Sequence, residues 1–513
     1  MGIIQPSLGE AFLQDIVSCM QTGLSYYYAF AAGPVAYTGN TVPTLTYDPY
    51  TDKFTNNWQM IFGKLLNSGN FLPVVNNNVW TTNSVYTQYD NTSNSLYTNS
   101  NFYVVTPPSV VGAPYQFYVC INNANGSPST VEPTLVQPTT FTTADGYSWR
   151  YITSISTEDY NNFASGPYIP VYPNTVIQSS ANTYAGIDNV ILTNSGNGYL
   201  AYVNGSIKSG NSSLVQIDSY AFPASGYYNN SAIYVYQNTS SIGQLRIVSS
   251  YVTNTSGNWV QLNTPLSNVS IGSISYSYSI APQIYFTSDG SVQPSAYAVM
   301  NTSSNSIANI VIINNGVNIS WTNVSIFTNN ALVTTPANAY VVCPPPGGHG
   351  YDPVSELNML GVSIAFNFSN TENSTIPTNI QYNKIGIIKN PMAANSSGGS
   401  NNTLYVSNTF NQLLTANVTT TFTTGSQVLG QNSGALGTVA FSNSTVLYLT
   451  GDKSFNNSEV IVSTSNSYQN SVLTIVTDGK IYTKSLNPLY ISNINNINRS
   501  NTQTESYKIV LQI

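Results

Sequence analysis

The stretch "ADGYSWRYITSISTEDYNNF", residues 144–163, carries the pattern that decides the fold. Tyr147, Trp149 and Tyr151 alternate with Ser148 and Arg150, the period of a strand with one buried face. "STEDYNNF" (156–163) then breaks the alternation, and Glu158 and Asp159 stand where the start of a one- or two-turn helix favours negative charge. The same strand signature returns in "NFYVVT", "YQFYVCI", "SAIYVYQ", "GQLRIVSSYV", "ISYSYSI" and "NSVLTIVT", always between runs of Asn, Gly, Ser and Pro. Many short strands with polar turns predict a mainly β chain: a multi-strand antiparallel sandwich core with a few short helices and inserted small β domains.

Three further helices are expected. "SLGEAFLQDIVSCM" has Ser7 and Glu10 at capping-box spacing and Phe12, Ile16 and Cys19/Met20 on one face. "TNNWQMIFGKLL" (55–66) puts Trp58, Ile61/Phe62 and Leu65 on one stripe. "DPVSELNML" offers Asp352 as N-cap, Pro353 at the first helical position and Gly361 as the stop. "IDNVILTNSGNGYL" (187–200) aligns without gaps on "IANIVIINNGVNIS" (307–320), with Gly196 and Gly316 at the same turn position. These read as two similar β units, and "PQIYFTSDGSVQPSAYAVM" before the second reads as a hairpin. Glycines 430, 434 and 437 predict a small, strongly bent barrel over 425–462. Segments 205–213 and 395–403 have linker composition.

Only 6% of the 513 residues are charged, with 12 Lys plus Arg against 19 Asp plus Glu, a net charge of −7. A chain so poor in cations lacks the basic face that nucleic acid or an anionic membrane requires. Contacts made by such a surface rest on shape, aromatic burial and neutral hydrogen bonds. Cys19, Cys120 and Cys343 are isolated and read as buried, reduced thiols. The start "MGIIQPSLGEAFLQD" has no signal-peptide pattern, Pro6 stands where a myristoylation motif wants Ser or Thr, and no apolar run reaches transmembrane length.

Chemistry has one obvious place to reside. "CPPPGGHGYDPVSELN" (343–358) holds the only histidine, His349, with Cys343, Asp352 and Glu356. One histidine with one or two carboxylates is a poor zinc set, and Asp352 is better explained as a cap. There is no GxSxG elbow and no phosphate-cradling loop. The alternative is a rigid corner: Pro344 to Pro346 stiffen the approach, Gly347, Gly348 and Gly350 permit a reversal, and His349 bonds the backbone or faces a neighbouring subunit. Tyr and Asn enrichment suits sugar binding, but its spread over the whole chain favours cross-strand pairs on solvated sheets.

One segment is more specific than composition. "YQFYVCINNANGSPSTVEPT", "FTTADGYSWRYITSISTEDYNNF" and "YIPVYPN" match, in order, a Tyr-x-Cys-Ile-Asn strand, an "EP" turn, an acidic-Gly-Tyr-x-Trp-x-Tyr strand and a Pro-Val exit. The positions are Tyr118, Cys120, Ile121, Glu132, Pro133, Asp145, Gly146, Tyr147, Trp149, Tyr151, Pro170 and Val171. This resembles the dimeric baseplate wedge subunits of contractile-tailed bacteriophages. "SYYYAFAAGP", "NNWQMIFGKLL" and "VVNNNVWTTNSVYTQYD" follow that family's opening order. The late loop with Gly348, His349, Asp352 and Pro353, then "IGIIKNP" with Gly386 and Pro391, and the closing "SYKIVLQI", resemble its end.

The resemblance implies a structural, non-enzymatic virion protein without cofactor or metal, located in the tail baseplate and assembled in the host cytoplasm. It implies a homodimer joining the inner wedge scaffold to peripheral tail proteins and taking part in baseplate rearrangement at host attachment. It divides the chain into core (1–180), an inserted β module (181–300), core (301–395), a second insert (396–480) and closing strands (481–513). The alternative is a fibre-proximal adhesin or glycan-binding tail protein.

Overall fold

The computed structural model describes residues 6–39, 41–45, 57–98, 101–201, 203–237, 243–301, 303–327, 333–372, 376–395, 399–451, 454–466 and 468–512. The chain is mainly β, with antiparallel pairing between its named strands and few short helices. It divides into two compact units: 1–74 with 161–166 and 359–513, and 75–160 with 167–358.

The first unit contains a five-stranded sheet ordered Thr409–Asn411, Met60–Leu66, Tyr27–Ala32, Ile380–Lys389, Pro488–Arg499. Gly361–Phe368 lies in a second sheet, paired with Glu505–Gln512 and with Phe71–Val74. Phe62 of the first sheet meets Phe368 of the second edge-to-face at 4.8 Å and Tyr382 at 5.7 Å, so aromatic rings fill the interior. A seven-stranded sheet over 414–477 encloses its own core of Leu414, Val428, Val439, Leu447, Leu449, Phe455 and Ile461.

The second unit is built on the sheet Tyr103–Thr106, Tyr115–Asn123, Tyr147–Ile155, Phe141–Thr142. A seven-stranded sheet follows, with Gly243–Asn254 as its longest strand. That strand pairs with Ala232–Gln237 through its first half and with Gly257–Leu262 through its second, changing partners at a register shift near Val248–Ser250.

The internal repeat is real in three dimensions. Asn189–Asn194 pairs with Asn338–Val342, and Ser306–Asn314 pairs with Ser295–Asn301. Each pair slips register at its terminal Asn, Asn194 or Asn314. Asn194 accepts from Gly196 N at 2.9 Å, and Asn314 from Gly316 N at 2.8 Å. Both glycines have positive φ, 64° and 80°, and a Cβ on either would press within 2.7 Å of neighbouring backbone.

Several expectations need correction. "TNNWQMIFGKLL" is not one helix: Asn57 and Trp58 are helical, but Met60–Leu66 is an interior strand of a sheet, with Met60, Ile61, Phe62 and Gly63 all buried. A strand covered on both faces shows no alternation, and its apolar run satisfied a helical stripe by coincidence; residues 55 and 56 lie outside the described residues. The helix Pro6–Gln21 exists, but among its described residues Gly9 and Leu13 are the buried ones and Phe12 is 57% exposed, so its inner face is rotated from the expected one. The side chains of Ser7 and Glu10 lie outside the described residues.

Helix Pro353–Glu356 starts as expected, with Asp352 accepting from Ser355 N at 3.2 Å. It stops four residues before Gly361, which opens a strand; Asn358, at φ 64°, makes the turn. The two linker-like segments are structured. Residues 204–206 and 209–210 form edge strands of the seven-stranded sheet, and Ser400–Leu404 pairs with Met392–Ala394, while 396–398 lie outside the described residues. Edge strands need only backbone pairing on one side, so polar composition does not betray them. The hairpin expected over 282–300 is two strands with separate partners, joined only by a Gln283–Tyr297 bridge. Cys19 is half-buried, whereas Cys120 and Cys343 are buried; all three are free thiols.

Candidate functional site

The proline–glycine loop shapes a buried constellation of histidine and carboxylates, the residue types of a catalytic or metal site. Gly347, Gly348 and Gly350 all have positive φ, and Gly348 N bonds back to Pro345 O at 2.8 Å. Side chains are excluded here as well as strained: a Cβ on Gly348 would lie 2.4 Å from Ala181 O, and one on Gly350 2.8 Å from Ile152 O. The loop therefore packs its backbone against helix Thr175–Ser180 and the Tyr147–Ile155 strand and turns His349 inward.

His349 is 2% exposed. Its Nδ1 lies 2.5 Å from Glu356 Oε1, and its Nε2 lies 2.8 Å from Asp188 Oδ2. Glu356 Oε2 accepts from Gly350 N at 2.8 Å, so the carboxylate ties the helix to the loop that precedes it. Tyr89 meets the imidazole edge-to-face at 5.0 Å. Burial works against a charged imidazole, but Asp188 and Glu356 outweigh it and hold its pKa up at about 9. The imidazolium then donates from both nitrogens. Arg150, 6% exposed, donates to Tyr184 O at 3.0 Å and interacts electrostatically with both carboxylates. Two cations thus balance two anions inside a unit.

Chemically this arrangement is a clamp. Both ring nitrogens are engaged and the side chains of His349, Asp188 and Glu356 are 1%, 7% and 1% exposed, so neither ring nitrogen is open to solvent. Among the described residues no group of three His, Cys, Asp or Glu is arranged to hold a metal ion. The expectation that His349 bonds backbone is corrected: its partners are carboxylates. Burial pushes the Cys343 thiol up to about 11, and its backbone N–H donates to Asn91 Oδ1 at 2.9 Å.

Most of the residues that carry the family resemblance are interior, while Glu132 and Asp145 are half-buried and Gly146 is exposed. Tyr118, Cys120, Tyr147, Trp149 and Tyr151 form one core cluster with Tyr86, Val104, Phe141 and Ile177. Tyr147 stacks on Trp149 at 5.5 Å, and its hydroxyl donates to Ser127 O at 2.5 Å. Asp145 pins the turn: it accepts from Thr130 N at 2.7 Å, Val131 N at 2.9 Å and Thr143 Oγ1 at 2.5 Å. Burial raises its pKa, but these bonds win and bring it to about 2. Gly146 has φ 87°. Ile121, Pro133, Pro170 and Val171 are buried, and Glu132 is half-buried with its pKa raised by burial. In the other unit, Gly386 lies under Phe30, where a Cβ would come within 2.4 Å of the ring, and Pro391 is buried.

Sequence reasoning missed Asp188, Arg150 and Tyr89. One signal was present: Asp188 is the single carboxylate in the repeat, and the second copy has Ala308 there. No protein-family model matches the chain, and no curated protein matches it.

Proposed function

We propose that this chain is a structural virion protein, a baseplate wedge component of a contractile tail. As a homodimer it links the inner wedge scaffold to peripheral tail proteins and takes part in baseplate rearrangement at host attachment. The observation that carries the reading is the use made of the motif residues. Tyr118, Cys120, Tyr147, Trp149 and Tyr151 pack together and Asp145 fastens a turn, so the shared pattern describes a scaffold. His349, the residue best suited to proton transfer, is closed inside a clamp.

The surface supports the same reading. Arg150, Asp218, Glu356, Glu459, Arg499 and Glu505 are buried, so the few charges of the sequence are not all spent on the surface. Such an exterior suits large interfaces built on shape and aromatic contact, isologous across a dimer. Sedimentation of the purified chain with its tail proteins is the test: a dimer that co-assembles supports the role, and a monomer that binds no tail protein opposes it. A second reading, neutral-glycan binding, has one observation behind it. Trp259 lines a concavity of about 330 Å³ with Ser250, Asn254, Ser256 and Gln261. Glycan-array hits lost in Trp259→Ala, without any tail partner, would favour it.

A further inference from the structure

Lys64, on the Met60–Leu66 strand of the five-stranded sheet, reaches across to the second sheet of its unit. Its Nζ lies 3.1 Å from Asn367 Oδ1 and 3.2 Å from Asn367 O, on the Gly361–Phe368 strand. It also lies 2.6 Å from Glu372 Oε1. Glu372 follows that strand directly, and its other oxygen, Oε2, accepts from Ser369 N at 3.0 Å, which fixes the carboxylate in place. Phe62, two residues before Lys64, meets Phe368, the neighbour of Asn367, at 4.8 Å, so the two strands are also in contact through their rings. An amine, a carboxamide and a carboxyl group thus converge at contact distance from two strands of opposite sheets, and 303 residues separate the amine from the amide.

We infer that Lys64 and Asn367 join in a self-made amide cross-link, with Glu372 as the proton carrier. The C=O length places the Asn367 carbonyl carbon within about 4.3 Å of Nζ, and rotation about the broad terminal torsion of Asn turns it toward the amine. Proton transfer from the Lys64 ammonium to Glu372 gives a neutral amine and a neutral acid in one step. The Nζ lone pair then attacks Asn367 Cγ, forming the C–N bond of a tetrahedral intermediate. Glu372 delivers its proton to Nδ2 and takes the one that Nζ must lose. The Cγ–Nδ2 bond breaks, ammonia leaves, and an Nζ–Cγ amide remains. No oxidant, cofactor or second substrate is required. Holding the three groups together supplies the proximity that such acyl transfers need, and the product closes a very long loop covalently, where a cross-link constrains the unfolded chain most. The consequence is a bolt between the two sheets in a chain whose cysteines are all free.

Peptide mapping of the full-length chain by mass spectrometry is the test. The expected result is a branched peptide joining the Lys64 and Asn367 segments, with an intact mass about 17 Da below that of the sequence, the mass of ammonia. Lys64→Arg keeps the cation but lacks the nucleophile, and Glu372→Gln lacks the proton carrier; both should give unlinked peptides at full mass. Unlinked Lys64 and Asn367 peptides from the wild-type chain overturn the inference, whatever the variants do. A mass deficit without the branched peptide, as a succinimide elsewhere would give, overturns it equally. A branched peptide persisting in Glu372→Gln removes Glu372 from the mechanism.

Discussion

Replacing His349 by alanine removes the centre of the buried clamp and leaves Asp188 and Glu356 without their shared donor. Two routes to the magnitude agree. Breaking a buried ion pair by removing one partner costs about 3–5 kcal/mol. The His349 pKa of about 9, against 6.5 for the free side chain, corresponds to about 3 kcal/mol at roughly 1.4 kcal/mol per tenfold change. The folded value lies above the unfolded one, so this stabilisation is complete below about pH 6.5 and is lost as pH rises through about 9. Urea unfolding followed by tryptophan fluorescence reports it well, because Trp80, Trp149, Trp259 and Trp321 all lie in the unit that contains His349. The wild type should exceed His349→Ala by about 3 kcal/mol at pH 6.5, and the gap should narrow between pH 7 and 10. A gap below about 1 kcal/mol, or one that stays constant over that range, would refute an ionic clamp.

Gly196→Ala and Gly316→Ala should each destabilise by more than about 1 kcal/mol and by similar amounts, since both combine positive φ with a Cβ collision; thermal melts in which only one does so contradict the structural equivalence of the repeats. Asp145→Ala should cost about 1–3 kcal/mol by leaving backbone donors of the turn unpaired. Because the folded pKa of Asp145 is depressed to about 2, its contribution holds above about pH 4 and disappears as pH falls through about 2, which acid titration of wild type against Asp145→Ala can follow. Dimer dissociation measured between about 50 and 500 mM salt should change by less than about threefold, as a surface with few charges has little to screen; a steep salt slope would point to an electrostatic interface.

The β class was legible because half-buried strands repeat every two residues. "YSWRYITSI" coincides with the observed strand Tyr147–Ile155, and "DPVSE" announced its helix through a cap and a proline. What failed has a physical reason in each case. Met60–Leu66 is buried on both faces and so lost its period. The polar edge strands near 205 and 400 are held by backbone pairing that composition does not encode. The Gly-rich corner around His349 was foreseeable from local rules, but its chemistry was not, because Asp188 lies 161 residues away in sequence. Lys64 and Asn367 are further apart still, and nothing in either segment alone suggests that they meet.

Cryo-electron microscopy of the assembled contractile-tailed particle is the most direct measurement of the proposed role. Density for this chain as two-fold pairs within the baseplate, contacting inner wedge and peripheral proteins, is the predicted result. Its absence from the baseplate, or its presence as single copies at fibre tips with sugar bound near Trp259, would contradict it.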